Sequence, residues 1–466
     1  MRQYKISALI LCMLIMLTSY TACAPKEEQQ TASQPTESTP RETLSISYDM
    51  PEYGTSKDIL NNAVYEFRKT HPDVQINITR PARPEKGDVL WDEYYAKLNT
   101  EIMAGKGADL VFFYTNAVEA YKMMKAGAFT DLAPFMEADP DFPWDDCNRA
   151  VIEGARYKGC QYMMPINYEL PFLLSEKSLL EEAGVRYEDC TNFESIWAEL
   201  ADYCARYSEN EALPKPLYSR WRFWRFTSFI GIPWLDIENQ TVDLSDERWP
   251  ELFEQYRTIC ASMPDKELEQ ENQYGGKFDS PVKMMEGEYL HELYYGDAFC
   301  NLILNLRTLS TLGEPYLIPI YDVNGGIQAG ARYVGAIRRN SSSQQLAYDF
   351  IKVMLSPEIQ KLSNSIAPTY IPVSNSALKQ SLQEAEKELT EEIYFSRPIQ
   401  IPDPAPVPHV VTQTIWDATQ NIDGVYYWTE CYRQFYNSME PYLEGKMTYE
   451  DAIKDAEETL SIYVSE

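Results

Sequence analysis

Histidine is nearly missing from this chain. His71, His291 and His409 are the whole supply in 466 residues, and their wide separation argues against a histidine-based metal site. Cysteine is present without a pattern. Beyond the N-terminal region seven remain (Cys147, Cys160, Cys190, Cys204, Cys260, Cys300 and Cys431), an odd number with no C-x-x-C. Neither a disulfide framework nor a zinc site is indicated. A Cys147–Cys160 or Cys190–Cys204 pair stays open, beside the plainer role of small buried hydrophobes. Positive charge is scarce too: 41 Lys and Arg face 71 Asp and Glu, for a net charge of −30. That excludes nucleic acid and anionic lipid as natural partners of the folded body. It favours a neutral or cationic ligand, or serves solubility alone. There is no G-x-S-x-G, H-E-x-x-H or phosphate-loop motif, and no internal repeat.

The first residues read as a targeting segment. Arg2 and Lys5 precede Ile6–Leu17, an apolar run of 12 residues, too short to remain in a bilayer as a span. Tyr20-Thr21-Ala22-Cys23 resembles a bacterial lipobox, with Tyr20 where Leu is usual. On that resemblance residues 1–22 are a lipoprotein signal peptide and Cys23 becomes a lipidated N-terminus; ordinary cleavage near Ala22 is the alternative. Residues 23–42 hold no Leu, Ile, Val or aromatic after Cys23. They bury nothing and read as a disordered tether.

From residue 43 the pattern is that of a folded α/β body. Thr43–Tyr48 reads as a strand. A helix capped by Ser56 follows, with Ile59, Leu60, Ala63, Val64 and Phe67 on one face. Val74, Ile76 and Ile78 alternate as a half-buried strand, Trp91–Ala104 is a second amphipathic helix ending at Gly105, and Leu110–Phe113 is a parallel strand covered on both faces. Ligands of such sheets sit beyond the carboxyl ends of the strands. That places two loops in view, Asp49–Thr55 with Glu52 and Tyr53, and Tyr114-Thr115-Asn116. Tyr114 as packing and Asn116 as a helix cap are the alternatives.

Further on, Ile196, Trp197, Leu200, Tyr203 and Cys204 recur at core spacing on a helix over Glu194–Tyr207. An aromatic–arginine cluster follows: Trp221, Arg222, Phe223, Trp224, Arg225, Phe226, Phe229 and Trp234. On a helix, Trp221, Trp224 and Arg225 share one face while Arg222, Phe226 and Phe229 share another. One stripe must be core. The other has the chemistry of a cleft wall, where an indole stacks on a sugar face and Arg offers a planar fork to hydroxyls or carboxylates. Glu251–Met263 reads as a helix, and Gly296–Leu306 as a strand or short helix with Asp297 at its mouth. Arg397–His409, with five prolines, reads as an extended strap. Thr412 onward reads as helical, ending on a helix with Ala452, Ala456, Leu460 and Tyr463 buried.

The stretch Gly325–Gln360 joins a glycine-rich loop, a short strand near Tyr333–Arg338, a polar turn and an amphipathic helix closed by Ser356-Pro357-Glu358. It keeps Gly-Ala-Ile, Asn-Ser-Ser, Phe-Ile-Lys and Leu-Ser-Pro-Glu-x-Gln, and in these it resembles the solute-binding proteins of ABC importers of the family-1, maltose-binding-protein-like type. Gly105–Leu110, Gly127–Met136, Gly154–Gly184, Asp243–Trp249, Ala367–Val373 and the terminal helix carry the resemblance in order from about residue 43 to the end. Arg332-Tyr333 stands where sugar binders often have Gly-Trp.

The resemblance implies a two-lobed, periplasmic-binding-protein-like α/β fold (type II) with hinge-connected lobes and a ligand cleft. Lobe one would be 43–167 with 316–355, and lobe two 168–315 with 356–466. It implies a monomeric, lipid-anchored, extracytoplasmic subunit that hands a solute to ABC permease subunits. The expected solute is an oligosaccharide, with a peptide or polyamine as the alternative; no cofactor is implied. The candidate ligand-binding residues are Tyr53, Tyr114, Asn116, Asn167, Glu169, Trp221, Trp224, Arg225, Asp297, Arg332, Tyr333 and Tyr370. For Glu169, at the expected hinge, a bond to backbone is the alternative. A glycosidase using Glu169 with Asp236 or Asp297 is the rival class, since such chemistry needs two carboxylates flanking one bond. A ligand-sensing subunit for a membrane receptor kinase is a third.

Overall fold

The computed structural model describes residues 42–49, 55–81, 91–115, 118–219, 222–262, 280–295, 299–361, 370–388 and 405–465. Glu42–Glu466 form one compact unit. Its strands are β1 (Thr43–Tyr48), β2 (Gln75–Thr79), β3 (Leu110–Tyr114), β4 (Met164–Glu169), β5 (Pro171–Glu176), β6 (Lys215–Leu217), β7 (Leu235–Asp236), β8 (Thr241–Val242), β9 (Tyr289–Tyr295), β10 (Pro315–Pro319), β11 (Ile327–Ile337), β12 (Ile371–Pro372) and β13 (Ile422–Tyr426).

A seven-stranded sheet runs β12-β4-β11-β3-β1-β2, with β13 also on β11. β1 is parallel to both β2 and β3, so the chain must cross over between them, and the helices Thr55–Thr70 and Trp91–Met103 do this. Leu60, Ala63 and Phe67 are buried against the sheet as their spacing predicts. The alternating strand at 75–79 departs from expectation. It is the sheet edge, and Ile78 is 39% exposed; alternation reports a face, but not whether anything covers it.

A four-stranded sheet runs β10-β5-β9-β6. Its strands are covered on both sides. Phe172, Leu174 and Leu317 face the helix Phe299–Leu312, while Leu173, Leu293 and Ile318 face an aromatic core built by Trp197, Phe226, Trp249, Phe253 and Phe435. The helix Phe193–Glu209 starts on a capping box, Asn192 with Ser195, and presents to this core every residue its spacing singles out. Residues 299–312 are helical, which closes the strand-or-helix alternative there.

The chain passes between the two sheets three times: at Leu170 from β4 to β5, through 320–326 from β10 to β11, and through 427–429 from β13 into the helix Glu430–Leu443. β12 and β13 belong to the large sheet, while the end of the helix Asn375–Ala385 is tied to the helix Phe299–Leu312, Arg307 donating to the Glu384 and Lys387 carbonyls at 2.7 and 2.8 Å, and His409–Gln420 packs against β10. It is Glu430–Leu443 and Tyr449–Ser465 that join the aromatic core. All seven described cysteines are free thiols. Burial pushes Cys147 and Cys204 up to about 12 and Cys431 up to about 11, so they act as small hydrophobes and neither open pairing is formed.

Candidate functional site

The ends of several strands meet at one place. β11 is antiparallel to β3 and β4 and parallel to β13, with Tyr333 opposite Tyr114 and Asn167, and Gly330 opposite Glu169 and Tyr426. This gathers the carboxyl ends of β1, β3, β4 and β13, the first half of β11, and Tyr370 just before β12. The helix Phe223–Phe229 arrives from the other core and adds Trp224 and Arg225.

The inner layer is built on Asp49, directly after β1. It is fully buried. Its Oδ2 accepts from the Tyr95 hydroxyl at 2.9 Å and the Tyr114 backbone N–H at 2.8 Å, and the Tyr333 hydroxyl lies against the same carboxyl. Among the described residues no cation pairs with it. Burial therefore dominates, and its carboxyl is pushed up to about 7 despite the hydrogen bonds that favour the anion. Tyr48, Tyr114 and Tyr333 pack around it, with ring centroids of Tyr114 and Tyr333 4.9 Å apart and those of Tyr48 and Tyr333 5.9 Å apart.

The outer layer is built on Glu169, the last residue of β4. Its Oε1 pairs with the Arg225 guanidinium and accepts from the Tyr426 hydroxyl at 3.0 Å. Its Oε2 faces the Arg332 Nε at 3.7 Å. Arg225 also lies over the Trp224 ring, its guanidinium carbon 3.8 Å from the centroid, a stacked cation–π contact. The close approach of β4 and β13 requires glycine at 330. A Cβ there would stand 2.8 Å from the Tyr426 hydroxyl and 2.9 Å from Glu169 Oε1.

Arg332 is aimed by the backbone. The β11–β4 register shifts between Ala331 and Tyr333, leaving Arg332 as an extra residue. Asn167 Oδ1 accepts the Tyr333 N–H at 3.1 Å, and Thr115 fixes the other side, its N–H on the Arg332 carbonyl at 3.0 Å and its hydroxyl on the Ala331 carbonyl at 2.7 Å. The guanidinium emerges between two half-buried rings, 5.8 Å from the Tyr114 centroid and 5.9 Å from the Tyr370 centroid.

Of the residues singled out in the sequence, Tyr114, Asn167, Glu169, Trp224, Arg225, Arg332, Tyr333 and Tyr370 come together here. Tyr53, Asn116, Trp221 and Asp297 lie outside the described residues. Two roles are corrected, that of Tyr333 and the division of the aromatic–arginine cluster. Tyr333 is 2% exposed and forms the wall behind Tyr114 rather than a presented ring. Glu169, expected as a ligand-binding carboxylate with a backbone bond as the alternative, has the Arg225, Arg332 and Tyr426 side chains as its partners. Arg225 is buried while Arg222 is exposed, and Phe223, Phe226 and Phe229 form the core stripe, so the two-face division drawn through the cluster is displaced by one residue. Sequence reasoning missed Tyr426 and Tyr95, and put the loop that Asp49 opens in view without singling out Asp49 itself. The run Ile422-Asp423-Gly424-Val425-Tyr426 has a strand's alternation interrupted by glycine, a signal that the helical reading from Thr412 overran.

Of the two carboxylates expected to partner Glu169, Asp297 lies outside the described residues. Asp236 is held in the turn after β7 by the backbone and side chain of Asn239, at 2.9 and 2.7 Å. No group of three or more potential metal ligands exists among the described residues, and no helix searched is long and apolar enough to cross a membrane. A cavity of about 220 Å³ also opens beside β1 and β2. In it Arg80 and Lys97 face Glu93 and Glu101, so its charge balances.

A search of curated proteins finds no match. Among solved structures, an ABC substrate-binding protein of Listeria monocytogenes in complex with cycloalternan is 15% identical, with a TM-score of 0.60 over 91% of this chain and 99% of that one. A cyclic α-maltosyl-1,6-maltose binding protein of Arthrobacter globiformis is 16% identical, with a TM-score of 0.61 over 91% and 98%. The sugar-binding protein MalE of Xanthomonas citri is 14% identical, with a TM-score of 0.65 over 91% and 97%. These likenesses establish the two-lobed binding-protein fold over nearly the whole chain. The bacterial extracellular solute-binding protein family matches residues 62–391, more than half of the sequence, and the chain belongs to that family.

Proposed function

We propose that this protein is the lipid-anchored, extracytoplasmic solute-binding subunit of an ABC importer, and that its solute is an oligosaccharide. The observation that carries the reading is the site itself. Half-buried Tyr114 and Tyr370 flank the Arg332 guanidinium, and half-buried Trp224 stacks on Arg225, which shares Glu169 with Arg332. Flat rings give stacking area for pyranose faces, and the planar guanidinium gives directional donors for ring oxygens. The oligosaccharides bound by the Listeria and Arthrobacter proteins support the same class for a chain of the same fold.

The mechanism is closure. One lobe is built on the large sheet and the other on the small sheet with its aromatic core, and the three crossings act as the hinge. A solute that touches Tyr114 and Tyr370 from one lobe and Trp224 from the other binds the closed form better than the open one, and that difference drives the change. The closed form is what permease subunits receive. Cys23 carries the lipid.

The test is native mass spectrometry of the protein taken from its host, followed by thermal melting with the glycans identified. A bound oligosaccharide that raises the melting temperature supports the reading. A bound peptide or polyamine, or no shift across neutral and acidic glycans, overturns it. Replacing Cys23→Ala should release the protein from the membrane fraction.

A further inference from the structure

Among its described residues the site holds more positive charge than its carboxylates neutralise. Two guanidinium groups converge on Glu169. Arg225, with its side chain 1% exposed, takes Oε1. Arg332, with its side chain 15% exposed, reaches Oε2 through Nε alone, at 3.7 Å, beyond hydrogen-bond distance. Arg332 makes no side-chain hydrogen bond among the described residues. Its contacts there are that distant ion pair and the rings of Tyr114 and Tyr370. Asp49 does not supply the missing charge: its Oδ2 is taken by Tyr95 and Tyr114, and it sits behind the tyrosine layer. One carboxylate facing two guanidinium groups leaves a surplus of one cation among the described residues.

That surplus runs against the rest of the molecule, whose net charge is −30. A guanidinium largely removed from water without a matched anion is costly. Yet Arg332 is placed there by a bulge secured from both flanks, by Asn167 and by Thr115. Its Nη groups carry the donors left for a ligand, arranged as the fork that fits a carboxylate with two parallel hydrogen bonds.

Resting on the carbohydrate reading, we propose that the solute is an acidic oligosaccharide and that Arg332 binds the carboxylate of a uronate unit, with Tyr114 and Tyr370 flanking that sugar. Glu169 and Arg225 then act as positioning residues. Glu169 holds Arg332 near its aim without occupying its Nη donors, and Arg225 keeps Glu169 charged.

The experiment compares short galacturonate oligomers with the same oligomers after carboxyl reduction, which are neutral and unchanged in linkage. Binding is measured by calorimetry on the full folded protein at low and high salt. The acidic series should bind about tenfold tighter or better at low salt, and the gap should shrink at high salt. Arg332→Gln should lose the preference, and Arg332→Lys, which keeps charge without the fork, should retain part of it. Melting without ligand identifies any variant that fails to fold, and in that case the wild-type salt dependence decides. Equal binding of the two series, or a preference that survives Arg332→Gln, overturns this inference alone. Binding of neither series, with sulfated glycans also silent, overturns the carbohydrate reading and this inference together.

Discussion

Two buried carboxylates, Glu169 and Asp49, stand at neighbouring strand ends of one sheet, and they are handled in opposite ways. Glu169 is given guanidinium partners and stays an anion among them. Asp49 is given a hydroxyl and a backbone N–H, with no cation among the described residues, and burial carries its carboxyl up to about 7. Hydrogen bonds orient an anion, but opposite charge is what offsets its loss of water. The first carboxylate is a fixed electrostatic element of the site. The second is a titrating part of the wall behind it.

Removing the cation from the first should be the most damaging change. Arg225→Met leaves Glu169 buried with only the distant Arg332, and should cost about 4 kcal/mol in denaturant unfolding; adding Glu169→Gln should recover a large part. Recovery of nothing would mean that Arg225 works through packing on Trp224 and not through charge.

The second carboxylate should show itself in pH dependence. Its folded value lies above the ordinary one near 3.8, so the folded protein holds the proton after the unfolded chain has released it. Its contribution is fully present below about pH 4 and is lost as pH rises through about 7. Wild-type stability should therefore fall across that window, by on the order of 3 kcal/mol from this group, and Asp49→Asn should flatten the fall. An unchanged pH profile would place a cation beside Asp49.

The backbone between β4 and β13 gives a smaller effect. Gly330→Ala forces a methyl against Glu169 and Tyr426 and should cost about 2 kcal/mol, read as a shift in the denaturant midpoint at constant slope. Smallest is the pair at the second crossing. Asp423 is pushed up to about 6 by burial and by Asp322, which it faces across Gln328. Because Asp423 is exposed, water screens the effect, and Asp423→Asn should change stability at pH 7 by only about 0.5 kcal/mol. The wild-type loss on raising pH from about 4 to 6 should be the part that disappears.

Much of this fold was readable because its helices and parallel strands carry strong local periodicity. Leu60, Ala63 and Phe67, or Ile196, Trp197, Leu200 and Tyr203, state their buried face without help from distant residues. The site was legible as a set of types: Tyr114, Trp224, Arg225, Arg332 and Tyr370 were all marked by position or chemistry. What the residues alone did not disclose was who meets whom. Tyr426 lies 257 positions from Glu169 along the chain, on a strand of five residues. No local pattern announces that pairing, and the bulge that turns Arg332 outward exists only once β4 and β11 are side by side. Tyr333 illustrates the converse. An aromatic beside glycine looks presented, yet neighbours on β1 and β3 cover it.

The large sheet takes its first strand at Thr43 and its last at Tyr426, and the aromatic core waits for Phe435, Ala452 and Leu460 from the final helices. Neither half is complete until almost the whole polypeptide has been made. Such a chain gains little by collapsing early and remains a loose thread through most of its synthesis, the condition in which a polypeptide can be drawn through a narrow export pore before it locks.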